Sequence, residues 1–385
     1  MKRRDFLASV GAATVCAVIP RTLLATSPSN YGNLLILIEL KGGNDSLNMV
    51  VPYAASEYYA LRPRLAIPRD QVLQLDAATG LHPSLQPLMA LWAENEVAVV
   101  QGVGYPQPNL SHFRSIEIWD TASASTEYLA DGWLARAFAR TPTPGEFAAD
   151  GVVVGGASLG PLAGAGARSI ALSNTEQFLR QAHLASASGQ PRPGALNHIL
   201  RVESDIVQAS VGLHPDQPFQ TEFPSTPFGN AARTAMQVVA SSTGVAAIKI
   251  ALNGFDTHSG QPATQARLLR DLADGLVALK SALIESGKWQ STLLMTYAEF
   301  GRRPRENQSS GTDHGTSSAH FVLGGRVKGG LYGSSPALDR LDGNGNLPFA
   351  VDFRQLYATV LQGWWGTDAT AVLRGRYAPL PVLRA

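Results

Sequence analysis

Six apolar runs of strand length recur along the chain. The first, Asn33-Leu-Leu-Ile-Leu-Ile-Glu-Leu40, is almost continuous, and residues 245–252 form another of the same kind. Shorter runs occupy 97–100, 152–154, 292–296 and 321–323. Continuous rather than alternating apolar runs fit strands buried on both faces, as in parallel sheets. Helical stretches lie between them. The clearest carries Leu269, Leu272, Leu276, Leu279 and Leu283, whose spacing of three and four residues lines one helix face. Strand and helix in alternation predict an α/β fold, a three-layer sandwich with a mostly parallel central sheet.

Polar residues gather just past these runs. Gly42-Gly-Asn-Asp45 follows the first, residues 102–112 the second, Asn253-Gly-Phe-Asp-Thr-His258 the fourth and Glu299-Phe-Gly-Arg-Arg303 the fifth. Ligands of open α/β sheets bind at the carboxyl ends of the strands, so these four loops are expected to converge on one site.

Composition narrows the class. Of 385 residues, 45% are apolar and 16% charged, which excludes a disordered chain and a polytopic membrane protein. A net charge of +1 gives no basis for nucleic-acid binding. The one cysteine, Cys16, excludes a disulfide scaffold. The N-terminus, with Arg3-Arg-Asp-Phe-Leu7 before a mildly apolar run to Ile19, matches the twin-arginine pattern. That run is shorter than the roughly 20 residues a bilayer span needs. Residues 1–30 are therefore expected to be an export signal read by the twin-arginine machinery, and 31–385 a single large domain. The mature protein is expected in the periplasm or outside the cell, without a transmembrane segment.

The candidate chemistry is a set of carboxylates and imidazoles. Asp256 and His258 stand two apart, Asp313 and His314 side by side, and Asp45 and His320 are further candidates. Such donors suit zinc or manganese, and oxygen-rich sets lean to manganese, magnesium or calcium. Adjacent residues in a strand or turn point different ways, so one Asp-His pair can serve two ions or two sides of one ion. Ser111 precedes a helical stretch beginning at His112 and reads either as its N-cap or as a nucleophile at a helix N-terminus. Arg302 reads either as a clamp for an anionic group or as half of an ion pair. Lys41 could do similar work. Gly156-Ala-Ser158-Leu-Gly160 spells a nucleophile elbow but runs into Pro161 and Gly164 where a helix should follow. Asp342-Gly-Asn344-Gly-Asn346 begins like a calcium loop but has Leu347 and Phe353 where glycine and glutamate belong, and reads as a turn. His82, His183, His198 and His214 read as structural or surface histidines.

Taken in order, Leu40-Lys-Gly-Gly-Asn-Asp-Ser-Leu-Asn48, Gly80-Leu-His-Pro-Ser-Leu85, Ser111-His-Phe-Arg114, Asn253-Gly-Phe-Asp-Thr-His258, Glu299-Phe-Gly-Arg302, Gly311-Thr-Asp-His-Gly315 and Asp352-Phe-Arg354 resemble the exported bacterial family catalogued as domain of unknown function 1501. That family is grouped with the alkaline phosphatase superfamily, which also holds sulfatases. The resemblance implies an alkaline phosphatase-like sheet, two divalent ions (zinc, manganese or calcium) and a serine nucleophile acting on phosphate or sulfate esters. Carried over, it implies Ser111 as nucleophile, with His112 as base, ligand or neighbour. It implies Asp45, Asp256, His258, Asp313, His314 and His320 as metal ligands; in such a hydrolase Arg302 or Lys41 would help position the anion. The anionic substrate would be a small molecule or a polymer ester. Two other functions fit the same residues: a non-catalytic relative that binds a ligand or protein, and a metal-free serine hydrolase.

Overall fold

All six apolar runs become strands of one sheet in the computed structural model, which describes residues 29–172, 219–240 and 244–384. The expected export signal to residue 28, Cys16, His183, His198 and His214 lie outside the described residues. The strands of the main sheet are β1 (Leu34–Lys41), β2 (Val97–Gly104), β3 (Gly151–Val154), β4 (Ser169–Leu172), β5 (Ala247–Asn253), β6 (Thr292–Tyr297), β7 (Ser318–Leu323), β8 (Gly330–Gly333) and β9 (Val351–Asp352). They are ordered β8-β2-β7-β6-β1-β5-β3-β4, with β9 also paired to β2. Only β7 runs antiparallel, between β2 and β6. Every other pairing in the sheet is parallel.

Successive side chains of a strand point to opposite faces, and β1 is apolar on both. Ile36, Ile38 and Leu40 enter one core, Leu35 and Leu37 the other. Burying each of these side chains is worth about 1.5–3 kcal/mol relative to exposure, so β1 is stable only with helices on both sides. Helices α1 (His112–Thr121) and α2 (Trp133–Arg140) cover the Leu35 face. Helices α3 (Pro227–Ala240) and α4 (Gln261–Glu285) cover the Ile36 face. The short α5 (Phe353–Ala358) adds to the Leu35 face. The result is the expected three-layer sandwich. All five leucines of the 3-4 spacing on α4 are buried. Beside them on the buried side of α4 is Gly275, where a Cβ would lie 2.4 Å from the Phe228 ring of α3. Glycine there sets how closely the two helices pack.

The direction of β7 follows from how the chain leaves β6. A ribbon of Arg302–Glu306 paired antiparallel with Thr312–His314 folds over the carboxyl edge, and Arg302 lies opposite His314. The chain therefore re-enters the sheet from the edge it left. β1, β2, β5 and β6 end at that same edge, so their four loops and the ribbon share one rim.

Candidate metal centre at the carboxyl edge

Three histidines and one aspartate meet on this rim. His112 opens α1 after the β2 loop, Asp256 and His258 follow β5, and His314 ends the ribbon. Each imidazole has its Nδ1 engaged. His314 Nδ1 donates to the Leu110 carbonyl at 2.8 Å, His258 Nδ1 to the Asp313 carboxylate at 3.2 Å, and His112 Nδ1 to Glu299 Oε1 at 2.8 Å. A neutral imidazole that donates through Nδ1 keeps a bare lone pair on Nε2. All three lone pairs face Asp256. His314 Nε2 and His258 Nε2 lie 3.3 and 3.2 Å from its Oδ1, and His112 Nε2 lies 3.5 Å from its Oδ2. The Nε2 atoms of His258 and His314 are only 3.0 Å apart. Two acceptor lone pairs at that distance repel unless a cation or a proton lies between them. His112, Asp256 and His314 alone already bring three ligand atoms within 4.8 Å of one another.

The surroundings hold this geometry. Phe300 packs on both the His112 and His314 rings, with centroids 4.8 and 4.5 Å away. Burial favours a raised Asp256 pKa, but the Arg302 guanidinium 2.6 Å away outweighs it, and the carboxyl stays below its ordinary range and ionised. Burial holds His314 below the usual imidazole value, so it is neutral and ligand-ready near pH 7. Asn307 and then His258 hold Asp313 ionised. One carboxylate and three imidazoles, each with an acceptor behind its Nδ1, offer a donor set and outer shell that could hold a transition-metal ion.

The rim brings together Asp256, His258, Asp313, His314 and His112 from the sequence expectation. It separates the others. Asp45 is buried and both its oxygens are taken: Arg62 grips them in a fork at 2.6 and 2.9 Å, and the Gln261 amide donates to one. Arg62 also donates to the Arg303 and Pro304 carbonyls of the ribbon. Asp45 thus ties the β1 loop to the ribbon rather than binding an ion. His320 sits on β7 inside the core against Trp119, and neither of its ring nitrogens has a partner among the described residues. Arg302 is buried and spends its donors inward, on the carbonyls of Gly42, Gly43, Phe255 and Thr312 and on Asp256. It positions Asp256 and offers no fork to an incoming anion. Among the described residues there is one ligand cluster, not the two that two ions need.

Ser111 is the exposed N-cap of α1, but its hydroxyl makes no capping bond. Ser158 lies on an exposed loop followed by the 3-10 turn Gly160–Leu162, so the nucleophile elbow does not form. Asp342 accepts from the amides of Asn344 and Asn346, the turn expected there. His82 is buried and caps the turn after it through Ser84. The sequence had not shown that Glu299 orients His112. Its place directly before Phe300 and beside the strand end was the available signal.

The Glu39 side of this rim opens into a cleft of ≈ 740 Å³, whose lining includes His112, Asp256, Glu299, Lys249 and Asp120. No helix among the described residues is long and apolar enough to cross a membrane.

No curated protein matches the chain. Among solved structures it is similar to Ps i-CgsB, with 12% identity and a TM-score of 0.43 over 89% of this chain and 74% of that one. It is also similar to the C-terminal periplasmic domain of EcEptC from Escherichia coli, with 9% identity and a TM-score of 0.42 over 92% of each chain. A third is a protein in the alkaline phosphatase superfamily from Vibrio parahaemolyticus, with 10% identity and a TM-score of 0.41 over 89% and 69%. The profile of the family described as "Protein of unknown function (DUF1501)" matches residues 66–375, and the chain belongs to that family.

Proposed function

We propose that the protein is an exported metal-dependent hydrolase of phosphate or sulfate esters, with one transition-metal ion held by His112, Asp256, His258 and His314. The observation that carries this reading is the trio of bare Nε2 lone pairs converging on one carboxylate, each imidazole fixed from behind. The nitrogen-rich set favours zinc or a similar ion and disfavours calcium, which takes oxygen ligands. A bound dication would neutralise the ester's anionic oxygens as charge develops on them. The chain's own groups do the rest. Arg302 keeps Asp256 ionised and aimed, while Glu299, Asp313 and the Leu110 carbonyl fix the three imidazole tautomers. Ser111, next to His112 and free of a capping bond, is the nucleophile: its Oγ bonds to phosphorus or sulfur as the ester oxygen leaves, the serine proton departs with the leaving alcohol, and water then hydrolyses the Ser111 ester to restore the hydroxyl and release phosphate or sulfate. His112 then counts as a ligand rather than a base. The N-terminal arginine pair supports export through the twin-arginine machinery, which carries folded proteins.

The test is elemental analysis of protein purified without chelator, as wild type, Asp256→Ala and His314→Ala. The expected result is close to one equivalent of zinc or a similar ion in wild type and its loss in both variants. A folded wild type without stoichiometric metal overturns the reading. Loaded protein is then assayed on phosphate and sulfate esters, with Ser111→Ala expected to lose turnover while keeping its metal.

A further inference from the structure

The cleft beside the metal centre is lined by two acids with a buried, unpaired oxygen, the half-buried Asp120 and the buried Glu299. Glu39 on β1 and Lys249 on β5 are both buried and pair at 2.8 Å, so each satisfies the other. Asp120, near the end of α1, has no ion-pair partner among the described residues, and the Tyr297 hydroxyl faces it. A Cβ placed on Gly160 would lie 2.8 Å from Lys249 Nζ and 3.1 Å from each Asp120 oxygen, so the two side chains flank one small space. Yet Lys249 and Asp120 form no ion pair, and Asp120 Oδ1 is buried without a hydrogen-bond partner among the described residues. Glu299 repeats the pattern. It is 2% exposed and lines the same cleft. Its Oε1 accepts from His112 and from the Gly42 amide, but Oε2 has no partner among the described residues. Burial pushes the Asp120 pKa up to about 7, with Glu39 and Glu299 adding to the rise and Lys249 and the Tyr297 hydroxyl opposing it.

Leaving a buried acceptor without a donor costs free energy, and more when the acceptor is charged. Two of them in one cleft call for a ligand rich in N–H donors and positively charged. We propose that this cleft binds a primary ammonium group at Asp120, with Glu299 Oε2 beside it, so that the ligand is an ester whose leaving part bears an amine. Only the anionic end of that ligand rests on the metal reading above. A quaternary ammonium has the charge without the donors, and an alcohol has a donor without the charge, so both fit the floor worse.

The test uses the full chain, metal-free and zinc-loaded, with saturation-transfer NMR and calorimetric titration. n-Butylammonium should bind saturably to both forms. Tetramethylammonium and n-butanol at the same concentration should not displace it. Asp120→Asn, which keeps the side-chain shape, should weaken n-butylammonium at least tenfold. On zinc-loaded protein, 3-aminopropyl phosphate should bind at least tenfold tighter than propyl phosphate, and Asp120→Asn should abolish that difference. Absence of saturable n-butylammonium binding to wild type overturns the proposal. So does displacement by n-butanol, or an Asp120→Asn variant that binds as wild type does. The wild-type ranking of the three small probes decides even if the variant is unstable. Failure of propyl phosphate alone, with n-butylammonium still bound, would instead count against the metal reading and leave the ammonium site standing.

Discussion

At the scale of single residues, the same types do opposite work according to what lies behind them. Asp45 and Asp256 both follow a parallel strand, and both meet an arginine. Asp45 is gripped on both oxygens inside the protein, whereas Asp256 gives one oxygen to Arg302 and keeps its outer edge toward three imidazoles. Removing one partner of a buried pair leaves the other charge unpaired at a cost of about 3–5 kcal/mol. Arg62→Ala should therefore lower unfolding stability by that order in urea denaturation, while Arg64→Ala, whose ion pair with Glu306 is half-exposed on the arginine side, should cost under about 1 kcal/mol. Equal midpoints for the two variants would refute the assignment of Asp45 to structure. The sequence could not separate Asp45 from Asp256, because the deciding partner, Arg62, is 17 residues away and carries no local signal. His320 is a ligand candidate through its residue type and the family resemblance, and its position in an apolar strand speaks for burial. The chain between His314 and His320 sends the two rings to different places.

At the scale of elements, strands built on unbroken aliphatic runs were legible, even the three valines of β3, and mixed ones were not. β4 (Ser-Ile-Ala-Leu), β8 (Gly-Leu-Tyr-Gly) and β9 (Val-Asp) mix their apolar residues with glycine or polar ones and read like turns. The meeting of loops at the carboxyl edge was legible, since it needs only that β1, β2, β5 and β6 be parallel. How tightly the loops touch was not. Gly42 has φ +114, and a Cβ there would lie 2.4 Å from the Asp256 amide nitrogen. The β1 loop can pass beneath the Asp256 loop only without a side chain, and the same contact lets the Gly42 amide donate to Glu299. Gly42→Ala should therefore act at a distance from chemistry. It adds a strained backbone of about 1–3 kcal/mol and pushes Asp256 away from the imidazoles. The expected result is a metal affinity at least tenfold weaker in competition with a chelator, together with a lower melting temperature. A variant that loses stability but keeps its metal affinity would show that the loop contact serves packing alone.

At the scale of the whole molecule, the two cores and the rim respond to acid through separate histidines. Burial lowers the pKa of His320 to about 3 and that of His82 to about 4. In an unfolded chain both would titrate near the ordinary value of about 6.5. Between those limits the unfolded state binds protons that the folded state refuses, so stability must fall as pH falls below about 6.5, and the loss levels off only near pH 3–4. The full loss is at most on the order of 8 kcal/mol, since the two shifts together span about six tenfold steps of proton affinity, each worth about 1.4 kcal/mol. A metal ion held as proposed at the rim would add a second acid sensitivity, because protons would compete with it for the three Nε2 atoms. The two are separable. In chelator-treated protein, where only the fold responds, urea unfolding between about pH 7 and 4 should show a steep loss of stability in wild type. His320→Leu fills the same core position without a titrating group and removes two buried unpartnered nitrogens. It should equal or modestly exceed wild type near neutral pH, and its curve should fall less steeply toward acid. Parallel curves for the two proteins would mean that the acid sensitivity of the fold does not pass through β7, and that His82 and the carboxylates of the rim account for it instead.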